Sequence, residues 1–131
     1  MEHFTSNAAQ ILLLASLAII FLQSGFDKIL DWKGNLSWLR GHFAKTPFKG
    51  MVPLLLGVVL FAEVLTGALC TIGCFELLYL GESTYAFCGA STAGLTLLLL
   101  LTGQRIAKDY EGAKTIVIHL IMTAFLLYLL N

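Results

Sequence analysis

The sequence predicts an all-α integral membrane protein: a four-transmembrane-helix antiparallel bundle in a single domain over residues 1–131. Three observations carry this. Hydrophobic residues make up 58% of the chain and charged residues 12%, against roughly 25% charged in an ordinary soluble domain. Four stretches are almost free of charge, each long enough for the roughly 17–25 residues that cross a bilayer as a helix. The basic residues gather between the first and second stretches and between the third and fourth, and nowhere else.

Phe4 to Phe26 contains no Asp, Glu, Lys or Arg, and it predicts a first span near 7–30. The segment before it has no Lys or Arg, and its apolar run exceeds the core of a signal peptide, so it reads as a retained span. Gly50 to Phe75 contains one charge, Glu63, and predicts a second span near 52–74. Ser83 to Gln104 and Thr115 to Asn131 contain none and predict spans near 85–103 and 114–130. Backbone in hydrocarbon must satisfy its own hydrogen bonds, so spans of this length are helices.

The connection between the first two spans is long enough to hold an element of its own. Leu36, Leu39 and Phe43 recur at helical spacing, with Arg40 and Lys45 off that stripe. This reads as a short amphipathic helix lying in the interface; a coil pinned by Trp32 and Trp38 is the alternative. Phe4, Trp32, Tyr79, Tyr85, Tyr110 and Tyr128 fall near span ends, where aromatic rings favour the interface.

The charges also orient the chain. Lys28, Lys33, Arg40, Lys45 and Lys49 lie in or beside the first connection. Arg105, Lys108 and Lys114 lie in or beside the third, and the middle one carries only Glu76 and Glu82. The positive-inside rule makes the first and third connections cytoplasmic. Both termini then face outward, which in a bacterium is the periplasm, and the membrane is the inner one. A formal net charge of zero gives no basic field for nucleic acid.

Each span carries a stripe of small or polar residues. These are Ser16, Gln23 and Asp27 on the first, and Glu63, Gly67, Cys70 and Cys74 on the second. Gly89, Thr92 and Thr96 form the third stripe, and Thr115, His119 and Thr123 the fourth. Most of these residues serve close helix packing. Glu63 differs, because it lies roughly 15 Å into its helix at 1.5 Å per residue. A carboxyl at that depth faces the interior and marks a functional site, an interhelical bond or a subunit contact. Gln23 and His119 lie about 7–10 Å in by the same rise, with Asp27, Lys28, Arg105 and Asp109 near the mouth below. Together these seven residues define a candidate polar pocket open to the cytoplasm.

No metal-ligand spacing is visible. A haem is disfavoured, since His119 would supply only one axial ligand from within the membrane, and His3 and His42 read as surface residues. An oxidising periplasm would permit a Cys74–Cys88 disulfide, but buried thiols are the commoner state of membrane cysteines. With no cofactor or catalytic motif, the chain does not read as an enzyme in its own right.

Several runs resemble DoxX-like membrane proteins. Phe21-Leu22-Gln23-Ser24-Gly25-Phe26-Asp27-Lys28 is similar to the end of that family's first helix. Glu63 with Gly67 and Gly73 is similar to its second. Gly103-Gln104-Arg105-Ile106-Ala107-Lys108-Asp109-Tyr110-Glu111-Gly112-Ala113 resembles the third connection of the Bacteroidota-type branch. The likeness covers nearly the whole chain, and its most specific motif is the third connection. It implies a small four-helix inner-membrane protein. The family takes its name from a small subunit linked to a terminal quinol oxidase and to thiosulfate-to-quinone electron transfer. Some members are associated with oxidative-stress complexes, most have no established activity, and no agreed catalytic residues carry over. The leading expectation is an accessory subunit of a larger respiratory or redox membrane complex, or a homo-oligomer, surrounded by lipid. A quinone-binding oxidoreductase component, using Gln23, Glu63 and His119, is the second. A small-molecule or lipid carrier is the third.

Overall fold

The charge-free stretches fold as the long helices their length predicts, and two shorter helices join them. The computed structural model describes residues 2–131, and all of its regular structure is helical. In chain order these are α1 (Glu2–Ser6), α2 (Ala8–Leu30), α3 (Trp32–His42), α4 (Val52–Tyr79), α5 (Thr84–Ile106) and α6 (Tyr110–Leu130). Helices α2, α4, α5 and α6 are long and apolar enough to cross a membrane, and the protein is a multi-pass membrane protein. Helix α3 is the expected amphipathic element. Trp32, Asn35, Leu36, Leu39, His42 and Phe43 form its half-buried stripe, at the spacing of one helical face.

Three spans are longer than the sequence predicts, α4, α5 and α6, and the extensions of α4 and α6 have a local cause. Helix α4 runs on to Tyr79, and near its end Glu76 is buried. Its Oε1 accepts a hydrogen bond from the Tyr85 backbone N–H at 2.9 Å. That N–H is one of the unpaired donors in the first turn of α5, so a carboxylate on one helix caps the next across a tight turn. The turn itself needs Gly81, whose φ is +71° and against which the His3 ring packs. Removing the cap in Glu76→Ala should cost about 1 kcal/mol, whereas Glu76→Gln keeps an acceptor and should cost less; thermal unfolding in detergent compares the two. Helix α6 begins early because Asp109 Oδ1 accepts from the Gly112 N–H at 3.0 Å.

Helix α4 lies between α2 and α5, and α6 packs mainly on α5 and more lightly on α2. Lipid tails are as apolar as Leu, so close fit rather than escape from water holds these helices together. The α4–α5 seam shows how. A Cβ added to Gly73 would lie 2.5 Å from Ala86 Cα, and one added to Gly89 would lie 2.9 Å from the Cys70 nitrogen. Ala86, Ala90 and Ala93 continue the seam, each fully buried. Nearer the middle, the Thr66 and Thr96 hydroxyls share a hydrogen bond at 3.1 Å.

The packed core lies mainly in the half of the bundle nearer α1. Ile11, Leu14, Leu17 and Phe21 from α2 meet Cys70 and Leu77, the alanine seam, Leu97 and Leu126 there. Toward the basic end the glycines no longer mark close helix contacts. A Cβ on Gly57 would meet nothing within 4 Å, and one on Gly103 would meet only the Phe43 ring. Helices α4 and α5 are thus closely apposed in one half, while the space beside them in the other is closed by α3 and the segment after it.

Candidate functional site

Antiparallel geometry creates the central feature of the site. Helical side chains lean toward their own N-terminus. Lys28, near the C-terminus of α2, therefore leans up into the bundle, and Glu63 on α4 leans down toward the basic end. Register brings them together: Gly25 faces Leu60 and Val64, and Gly67 faces Leu22. The result is an ion pair, with Lys28 Nζ 2.8 Å from Glu63 Oε1. The Glu63 side chain is 3% exposed and that of Lys28 17%. Lys28 also donates to Ser24 Oγ at 2.9 Å, one turn back on its own helix.

Two features leave this pair chemically unsaturated. Glu63 Oε1 accepts no aligned hydrogen bond, since the short contact with the ammonium is one of charge rather than of direction. Lys28 has three N–H donors; one goes to Ser24 and one side of the group faces Glu63, leaving capacity for a ligand. Lys28 also lines a cavity of about 260 Å³. The cavity walls are Leu55, Leu56 and Val59 from α4, Leu99 and Leu100 from α5, and the rings of Trp38, Phe43 and Phe48. Phe43 and Phe48 meet edge to face, with centroids 6.2 Å apart. The Asn35 and Gln104 amides also lie on the lining, each with one atom engaged elsewhere. Asn35 Nδ2 donates to the Asp31 carbonyl at 2.8 Å, and Gln104 Oε1 lies 2.8 Å from His42 Nε2. Among the described residues, Lys28 is the one charged residue on the lining.

A second cluster ties α3 to the α5–α6 turn. His42 contacts Gln104, its Nε2 is 3.9 Å from Asp109 Oδ2, and its ring stacks on Trp38 at 4.5 Å. His42 is thus not the surface residue the sequence suggested, since its side chain is 12% exposed. The turn closes α5 with two backbone bonds, from the Lys108 N–H to the Arg105 carbonyl at 3.2 Å and from the Asp109 N–H to the Gln104 carbonyl at 2.9 Å. This is the Schellman pattern, with Lys108 at the left-handed position, φ +60°.

The remaining candidate residues are dispersed. Gln23 and Asp27 are exposed on α2. Arg105 sits over the Tyr110 ring, 4.7 Å from its centroid, and Asp109 serves as cap and His42 neighbour. His119 is half-buried on α6, a helix whose backbone does not approach α4. Of the seven residues, the structure joins Lys28 with Glu63 directly and places Asp109 in the neighbouring His42 cluster. Cys70, Cys74 and Cys88 are free thiols, and Cys74 Sγ lies 3.7 Å from the Ile11 carbonyl. Among the described residues, no three His, Cys, Asp or Glu side chains gather as metal ligands would. The cavity itself carried no sequence signal, because it depends on how α3 folds back beneath α4 and α5. Comparison with protein-family models, curated proteins and solved structures gives no match.

Proposed function

We propose that this membrane protein binds the head ring of a quinone-type amphiphile in the cavity beneath α3. The observation that carries the reading is an apolar, aromatic-walled cavity with a cationic group on its lining, Lys28, ion-paired to the buried Glu63. A quinone ring is planar and apolar with a carbonyl at each end, so it needs flat apolar walls and a hydrogen-bond donor. Lys28 supplies the donor, and Glu63 behind it holds the ammonium in place. The volume is just below the roughly 300–1,000 Å³ of pockets that enclose a drug-sized ligand, so the ring enters and the isoprenoid tail stays in lipid. The basic end faces the cytoplasm in this reading.

The test is solvent extraction of protein purified in mild detergent, with quinones identified by mass spectrometry. Wild type should retain ubiquinone or menaquinone near one per chain. Val59→Trp, which fills the cavity, should lose it, and Lys28→Met should retain at least tenfold less. Retention unchanged by Val59→Trp would sink the reading.

The accessory-subunit role is a second reading, favoured by α6. That helix is the least buried of the four spans and turns Ile118, Ile121, Phe125 and Tyr128 outward. A subunit carrying a quinone site and an open helical face fits a larger redox complex. Co-purification of a stoichiometric membrane partner supports it, and isolation only as a free oligomer counts against it. Membership of the DoxX-like family is proposed on the same residues: Lys28 and Glu63 form the ion pair, and the third connection forms the Schellman turn. The carrier reading gains nothing, since each of the four spans is one continuous helix, without the broken segments that line midplane sites in transporters.

A further inference from the structure

We propose that a second, polar groove at the basic end binds the phosphate of an anionic lipid headgroup. The groove lies between the end of α3 and the α5–α6 turn and has a volume of about 270 Å³; His42, Lys45, Thr46, Ile106, Ala107 and Lys108 line it. It is separate from the aromatic cavity, and an anion can bind there whether or not the cavity holds a quinone.

Depth is the first argument. Helix α5 spans Thr84–Ile106, 23 residues, or about 34 Å at 1.5 Å per residue, slightly more than the roughly 30 Å hydrocarbon core. The residues just after it therefore lie at the level of lipid phosphates. Trp38, exposed and stacked on His42, is the kind of ring that favours this level.

Charge is the second argument. Lys45 and Lys108 are exposed and both line the groove, one from the segment after α3 and one from the turn, so both attract an anion bound there. The acid beside the groove, Asp109, is already engaged by the Gly112 N–H and lies near His42, which reduces its opposition.

The third argument is the backbone. Lys108 occupies a left-handed position, φ +60°, where glycine is the default at the end of a helix. A residue held in this conformation against its own preference points to a use for its side chain. A phosphodiester between the two ammonium groups supplies that use, with Thr46 and His42 as neighbouring polar groups and the acyl chains running beside Ile106.

Titrating the detergent-solubilised protein with phosphatidylglycerol, phosphatidylcholine or inorganic phosphate, and following the melting temperature, tests the assignment. Phosphatidylglycerol should raise Tm saturably, while phosphatidylcholine and inorganic phosphate at the same concentration should not. In the double variant Lys45→Ala/Lys108→Gly, apparent affinity for phosphatidylglycerol should fall about thirty-fold, from the usual surface contribution of two basic residues. Because glycine relieves the left-handed strain, lipid-free Tm should stay level or rise, so the loss is not one of folding. Lys33→Ala/Lys49→Ala removes equal charge outside the groove and should keep wild-type affinity. Equal loss in both double variants would reduce the effect to general electrostatics and overturn the site. An equal shift with inorganic phosphate would overturn the lipid as its source, and an equal shift with phosphatidylcholine would overturn recognition of anionic charge.

Discussion

Lys28→Met should destabilise the protein by about 3–5 kcal/mol, the usual cost of stripping a buried charge of its partner. The two halves of the pair should not behave alike. Without Lys28, Glu63 is left with a side chain 3% exposed and its ion-pair partner gone. Without the Glu63 charge, Lys28 is still 17% exposed, and its long stem can carry the ammonium toward the basic end. Glu63→Gln should therefore cost only about 1 kcal/mol, the worth of an ordinary hydrogen bond. The double variant Lys28→Met/Glu63→Gln should regain most of what Lys28→Met loses, since no unpaired charge remains. Unfolding in a single detergent, monitored by circular dichroism, ranks the three. A Glu63→Gln loss equal to that of Lys28→Met would mean that the pair is not held as described.

The second large effect is expected at the α4–α5 seam. Gly73→Val places a branched side chain where even a single Cβ would lie 2.5 Å from Ala86 Cα. The obstacle is backbone, so no rotamer change relieves it, and the helices must separate. Overpacking of this kind costs about 1–3 kcal/mol. Because α4 and α5 both wall the cavity, prying the seam open should also change the cavity at the other end of these helices. Gly57→Val, with nothing within 4 Å of its Cβ, provides the control and should cost little, since glycine is the poorer helix former of the two. A Gly73→Val protein as stable as Gly57→Val would show that the close approach is not required.

The spans were legible because charge exclusion over a bilayer thickness has few alternative readings. Helix α3 was legible from Leu36, Leu39 and Phe43, although its full stripe also uses Trp32, Asn35 and His42. Glu63 stood out as the single charge in its span, but its partner did not. Lys28 reads as a residue at the mouth of the site, and only antiparallel register with opposed side-chain tilt shows that it reaches inward. His42 looked like a surface residue because its partners, Gln104 and Asp109, lie in a distant connection. Glu76 was hidden by its position among loop charges; a carboxylate nine residues before the first turn of the next helix is the pattern that betrays such a cap. The third connection was recognisable as a motif, and its physical content, a left-handed lysine followed by an Asp109 cap, emerged only with the backbone.

Photolabelling distinguishes a quinone held in the cavity from one adsorbed on the lipid-facing surface. A photoreactive quinone analogue is bound to the detergent-solubilised protein and illuminated, and the labelled peptides are mapped by mass spectrometry. The account predicts labels on the cavity walls, within residues 38–48, 55–59 and 99–104, reduced by excess unlabelled quinone and absent in Val59→Trp. Labels confined to the outward face of α6, around Ile118 to Tyr128, and insensitive to competitor would contradict it.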